Sequence, residues 1–220
     1  MIVDQPKAPL GAVRRAVGID PGSPVAHFCV LSRREEGPPE IVALESVRWR
    51  SEAPAEAAAR IAEIVAGAER IAAESQFLRV SYHQSGAEAA GGYFGSLVKL
   101  AEGVGVAAGI SAVLGGPGVV QVSPQTWRVL LSGLARRTNE EARRASLDGL
   151  RYLYPGAGPG RGGAWREGDH DLAAAYWIAT WALGYRSAHD FAPTWPPPGA
   201  TAQPPRKPRA KRAPQVKALT

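Results

Sequence analysis

Four carboxylates in this 220-residue chain stand where the apolar pattern leaves little room for a charge: Asp20, Glu74, Asp169 and Asp171. Asp20 closes the apolar run that opens "AVGIDPGSPVAHFCVL" (16–31), with Pro21-Gly22 directly after it. Glu74 ends "RIAAE" (70–74), and Asp169 and Asp171 bracket the start of the apolar "HDLAAAYWIATWALG". An unpaired buried charge is costly enough to require a partner. Taken singly, each acid has an ordinary role: a turn former at 20, a strand-end charge at 74, a helix N-cap at 169 or 171. Gathered at one sheet edge, they would repel one another unless hard cations neutralised them. Mg²⁺ suits such a set, using a few carboxylate oxygens together with water and phosphate oxygens. Two such ions roughly 3.5–4 Å apart activate a water and stabilise the leaving oxygen in phosphodiester hydrolysis. His170, beside Asp171, is a further candidate as ligand or proton donor, or else a surface residue at a helix start. His27, His83 and His189 show no metal spacing with it.

The elements that must position these residues follow from periodicity. Apolar runs at 13–20 and 26–32 around Pro21-Gly22 predict a hairpin, and "EIVALESVRW" (40–49) a third strand. Over 51–68 the period changes: Ala57, Ile61, Ile64, Val65 and Ala68 recur at three- and four-residue spacing and predict an amphipathic helix. A strand over 70–75 carries Glu74. A second helix spans 86–114, and a strand 118–123. Ser123 as N-cap and Pro124 at the first helical position then open a helix through "QTWRVLLSGL". A helix with Asn139 as its cap follows, then "GAGPGRGGAWREGD" (156–169) as a flexible loop, then the last helix. Antiparallel strands followed by alternating helices and single strands predict an α/β domain with a mixed sheet.

Composition narrows the class. A single cysteine, Cys29, excludes an internal disulfide framework and a cysteine-based zinc site, which fits a reducing cytoplasm. No apolar run approaches the roughly 20 residues of a membrane span, and residues 1–15 are too polar for a secretory signal, so no membrane partner is expected. The net charge is +6, and Arg206, Lys207, Arg209, Lys211, Arg212 and Lys217 supply as many positive charges with no acid among them. The rest of the chain therefore balances. The expected organisation is a flexible N-terminus (1–12), one domain (13–190) and a Pro-rich basic tail (191–220), too poor in large apolar residues to fold. Basic tails of this kind bind polyanions through counterion release, with Lys207 and Lys211 as candidate contacts, or else serve only solubility.

Four segments in order, "VGIDPGSPVAHFCVL", "IAAESQFL", "VSPQTWRVLLSG" and "DHDLAAAYWIATWA", make the chain resemble RuvC-type Holliday-junction resolvases of the phage and prophage-like branch. The resemblance covers about residues 14–184. It implies an RNase H-like fold, a homodimer, and Mg²⁺-dependent nicking of two symmetric strands of a four-way DNA junction, with two ions for which Mn²⁺ can substitute. Asp20 then matches the family's first-strand aspartate and Glu74 its central glutamate, both metal ligands, with Asp171 as a third. Phe77 matches an aromatic that stacks on bases near the crossover, a contact worth about 1–3 kcal/mol, or else is a core aromatic. Arg79, Arg128, Arg136, Arg137, Arg143 and Arg144 become candidate phosphate contacts, or else belong to solvated helix faces. Trp127 is expected to be packing.

The last segment departs from the family. Aligned on its small and apolar residues, it puts Asp171 on the first acidic position and Ala174 on the second, one helical turn later. Three accounts stand: a shifted register using Asp169 or His170, a substituted acid at 174, or a resolvase-like binder without hydrolysis. The rivals are therefore a catalytically silent junction- or duplex-binding protein of the same fold, an RNase H-like nuclease for RNA–DNA hybrids, and an actin-like ATPase fragment. The last rests on "GIDPGS" alone and lacks room for a second subdomain, so no nucleotide cofactor is expected.

Overall fold

A computed structural model describes residues 13–22, 24–48, 54–75, 103–131 and 139–195. The hairpin forms as β1 (Arg15–Asp20) and β2 (Ala26–Ser32), and β3 (Glu40–Val47) adds antiparallel to β2. After α1 (Pro54–Val65), β4 (Arg70–Glu74) returns parallel to β1, and β5 (Val119–Val122) lies parallel to β4. The sheet order is β3-β2-β1-β4-β5, the expected mixed α/β architecture. The helices α2 (residues 103–113), α3 (Pro124–Arg128), α4 (Asn139–Leu153) and α5 (His170–Ala182) complete the fold.

Alternation along the central strands separates two apolar layers. Val17, Ile19, Phe28, Val30, Ile71 and Ala73 face one side, where α1 lays Ala57, Ile61, Ile64 and Val65 over them and α2 adds Val104 and Ala107. The predicted apolar stripe of α1 is thus the buried one. Ala16, Cys29, Leu31, Ala72 and Val122 face the other side, against α5, with Leu147 and Leu150 of α4 in the same cluster. By the same two-residue period Asp20, His27 and Glu74 belong to the α5 face.

Ten of the 13 residues of α5 are buried, on all sides of the helix. Such a helix is a core element rather than a surface one. Its height over the sheet is set at Gly18, where a Cβ would lie 2.1 Å from the Ala175 carbonyl oxygen and 2.4 Å from the Ala179 amide nitrogen. Its far end is held by arginines: Arg70 donates to the Ala182 carbonyl (3.1 Å), Arg186 to Trp181 (3.3 Å), and Arg33 to Leu183. Cations at a helix C-terminus also complement its dipole. On its outer side Trp177 donates to the Ser146 carbonyl (3.0 Å), and Gly149 leaves space for both Trp177 and Trp195.

The structure corrects three sequence expectations. The helix predicted to continue through residue 134 gives way after Arg128 to a tight 3₁₀ turn, Val129–Leu131, which lets consecutive Leu130 and Leu131 both point inward. The loop 156–169, expected to be flexible, carries its own hydrogen bonds, from Gly158 N–H to Gly163 O (2.7 Å) and Gly160 N–H to Ala164 O (3.1 Å). Finally, the core does not stop at residue 190. Phe191, Ala192 and Trp195, at the start of the expected tail, are buried, with Trp195 stacking edge-on against Trp177 at 5.5 Å. A single anchoring tryptophan hides easily within proline-rich sequence.

Because backbone, not a yielding side chain, meets the missing Cβ, Gly18→Ala is expected to cost about 3 kcal/mol. Thermal melting of the variant checks this; unchanged stability would mean α5 does not rest on β1 at this point.

Candidate active site

The strand registers assemble a row of side chains at one end of the sheet. Asp20 pairs with His27 across the hairpin, and Glu74 pairs with Val122. Ile19 pairs with Ala73, so Asp20 and Glu74 end neighbouring parallel strands in step. Pro21 halts β1 directly after Asp20, and the turn back is tight: a Cβ on Gly22 would lie 2.1 Å from the Val25 carbonyl oxygen. The height of α5 set at Gly18 then brings Asp171, in its first turn, toward the same row. A carboxylate in the first turn also complements the helix dipole.

The electrostatics show the three acids sensing one another. Burial pushes the Asp20 carboxyl well above its ordinary range, the charges of Glu74 and Asp171 push it the same way, and Arg143 and Arg128 oppose them. Burial raises Glu74 as well, against the hydrogen bond from Trp127 and the charges of Arg128 and Arg143. Hard oxygen donors crowded this way suit a divalent cation. The side chains as they stand are not closed into a cage: among the described residues, no group of three or more His, Cys, Asp or Glu is gathered tightly enough to hold an ion.

Asp171 is ringed by partial partners. His170 Nε2 lies 3.3 Å from Oδ1, Arg143 4.0 Å from Oδ1, and His27 Nε2 3.8 Å from Oδ2. Both imidazoles are tethered at Nδ1, His27 to Ser46 Oγ (2.9 Å) and His170 to the Glu167 carbonyl oxygen (3.0 Å). A carbonyl only accepts, so His170 Nδ1 carries the hydrogen in that contact. Burial lowers His27, with Asp171 acting against that shift. Asp169 is turned back, accepting the Arg166 backbone N–H at 2.7 Å. Ala174, one turn beyond Asp171, is 8 % exposed and belongs to the α5 core cluster.

Glu74 is held from the other side. Trp127 Nε1 donates to Glu74 Oε2 at 2.7 Å, while the Arg128 guanidinium lies 5.3 Å from the Trp127 ring centroid. Ser123 accepts the Thr126 N–H (3.2 Å), the predicted cap that starts α3 and aims Trp127 inward.

Of the candidate residues, Asp20, Glu74, Asp171, Asp169, His170, Arg128 and Arg143 therefore lie in or beside one site. Arg144 is exposed on α4, 3.9 Å from Glu140. Phe77, Arg79, Arg136, Arg137, Lys207 and Lys211 lie outside the described residues. Sequence reasoning passed over two. His27 shows no metal spacing with the other histidines along the chain, whereas the hairpin register puts it opposite Asp20. Trp127, expected only to pack, also donates to a site carboxylate; nothing in its own segment signals the partner, 53 residues away.

No protein-family model and no curated protein matches the chain. Among solved structures, Thermus thermophilus RuvC in complex with a Holliday junction substrate is similar over 82% of this chain and 94% of its own, at 21% identity and a TM-score of 0.51. The chain has the RuvC-type, RNase H-like fold. Another Thermus thermophilus RuvC structure matches 81% of this chain and 95% of its own at 22% identity and TM-score 0.49. The yeast mitochondrial Holliday junction resolvase Ydc2 matches 83% of each chain at 13% identity and TM-score 0.46.

At this site the raised Asp20 carboxyl predicts a sign for stability. A carboxylate whose folded value exceeds its unfolded value destabilises the fold once ionised. The cost is absent below the unfolded value near 4, grows as pH rises toward the folded one, and persists above it. In EDTA, Asp20→Asn is therefore expected to melt several degrees above the native chain at pH 7.5, with the gap shrinking toward pH 4. A variant less stable than the parent at pH 7.5 would contradict this.

Proposed function

We propose that the protein is a structure-specific endodeoxyribonuclease that resolves four-way DNA junctions by paired, metal-dependent phosphodiester hydrolysis. The observation that carries this reading is the meeting of Asp20, Glu74 and Asp171 on one face at the ends of the central parallel strands. The junction enters through the fold, because the similar Thermus thermophilus RuvC structure holds a Holliday junction substrate.

In this reading Asp20, Glu74 and Asp171 hold two Mg²⁺ ions, or Mn²⁺ in their place, with His170 or Asp169 beside them. When bound, such ions supply an activated water and charge stabilisation at the leaving oxygen. The chain's own residues do the rest. Trp127 fixes the rotamer of Glu74, and Arg128 and Arg143 bring positive charge to where the scissile phosphate must lie. Phe77 stacks on a base, while Arg79, Arg136, Arg137 and Arg144 and the tail residues Lys207 and Lys211 contact the backbone. Two copies are needed for symmetric nicks. The apolar, exposed Val106, Val113 and Leu114, at 39, 86 and 55 %, suit a homodimer contact. Among the described residues no helix is long and apolar enough to cross a membrane, and a cytoplasmic location accompanies this function. Ala174 favours one alternative, a protein that binds junctions without cutting them.

The native chain is expected to nick a four-way junction symmetrically in Mg²⁺ on denaturing gels. Asp20→Asn and Glu74→Gln should lose at least about 10³-fold in rate while still shifting the junction on native gels. Mg²⁺ should raise the melting temperature of the native chain and not that of Asp20→Asn. Binding without cleavage by the native chain, with cleavage gained in Ala174→Asp, would give the position to a missing ligand and the native function to binding alone. Separately, Val113→Glu with Leu114→Glu should convert a dimer to a monomer by light scattering at micromolar concentration; a dimer that persists would place the contact elsewhere.

A further inference from the structure

The segment between α4 and α5 is larger and more elaborately built than a connection requires. Gly158, Gly160 and Gly163 sit where added Cβ atoms would lie 2.5, 2.5 and 1.8 Å from backbone atoms of Ala164, Ala164 and Gly156. Gly156, Gly162 and Gly163 have positive φ (88°, 71° and 77°), which an ordinary residue rarely adopts. Trp165 Nε1 donates to the Tyr154 carbonyl (2.9 Å), and Arg151 of α4 bonds Glu167 (2.9 Å) and Asp148 (3.2 Å). The loop is therefore pre-shaped and tied to α4.

Its charges are sorted. Glu167 is taken by Arg151 and Asp169 by the Arg166 backbone N–H, so both acids of the segment are engaged. The exposed side chains of Arg161 and Arg166 have neither an ion pair nor a hydrogen bond among the described residues. The Arg166 side chain runs back along the loop, with Nε 3.0 Å from where a Cβ on Gly160, the residue before Arg161, would be. Two exposed guanidinium groups carried on one braced loop suit an anion with spaced oxygens. Arg166 stands five residues before Asp171 in sequence, ahead of the helix that carries it.

We propose that this loop is a preformed phosphate-contacting surface, gripping the DNA backbone of a junction arm next to the cleavage site through Arg161 and Arg166. The inference rests on the junction-binding reading above and extends it to a surface outside the carboxylate site. Rigidity matters because ordering a glycine-rich loop on binding would offset much of the gain from two contacts.

The test is junction binding by the full-length chain carrying Asp20→Asn, in Mg²⁺, titrated across salt concentrations. Each lost phosphate contact makes the slope of log affinity against log salt shallower by about 0.9. Arg161→Ala with Arg166→Ala should therefore lower the slope by nearly 2, and the double Lys variant should keep it. Gly160→Ala retains every charge but displaces Arg166, and should weaken binding with circular dichroism unchanged. A double Ala variant with the parental slope and affinity overturns the proposal while leaving the functional reading intact. A parent that binds neither junction nor duplex at low salt overturns both.

Discussion

The contact between Gly18 and α5 is the constraint on which the site depends. A helix resting on a sheet through ordinary side chains stands about 10 Å above it. Here the missing Cβ at 18 and the alanines at 175 and 179 remove that spacer, so backbone meets backbone. Lowering the helix at this point brings its first turn toward the ends of β1 and β4. The three guanidinium groups at its C-terminal carbonyls then fix the other end of the lever. With both points held, Asp171 has little freedom relative to Asp20 and Glu74, although it lies about 150 residues from the first in sequence.

That geometry works against stability locally. Asp20 would be easier to fold around if neutral, since burial and two like charges all favour its protonated form. The surrounding fold compensates: dry layers on both faces of β1, an all-round buried helix, and an aromatic chain through Tyr154, Tyr176, Trp177 and Trp195. Active sites are where local rules are broken in this way. The break at Asp20 is informative because the residues around it obey them.

Much of the fold was legible in sequence because it is written in local periods. The hairpin, the third strand, the stripe of α1 and the Ser123-Pro124 helix start all depend on residues within a few positions of one another, and each appears where expected. What stayed hidden depends on register and tertiary contact. His27 is unremarkable along the chain and becomes a site residue only once the turn fixes its partner as Asp20. Trp127 finds Glu74 across two parallel strands, and the final glycine-rich loop looks loose in composition while its close backbone approaches make it rigid. Asp20 and Glu74 were legible for the opposite reason: a charge ending an apolar strand is a local anomaly.

Basic residues illustrate why counting charges overstates nucleic-acid contact. Arg33, Arg70 and Arg186 donate to the Leu183, Ala182 and Trp181 carbonyls at the end of α5, Arg33 also to Val13 and Arg186 also to Tyr185, and Arg151 donates to two acids and a loop carbonyl. These are struts, and replacing one would loosen the frame that aims Asp171. Arg143 on α4 faces Asp171 of α5, and Arg161 and Arg166 sit on the braced loop that joins the two helices. The near-neutral balance of the chain outside its basic tail is therefore compatible with a directed field, because the cations at the C-terminal end of α5 are consumed by backbone carbonyls while Arg143 faces a carboxylate of the candidate site.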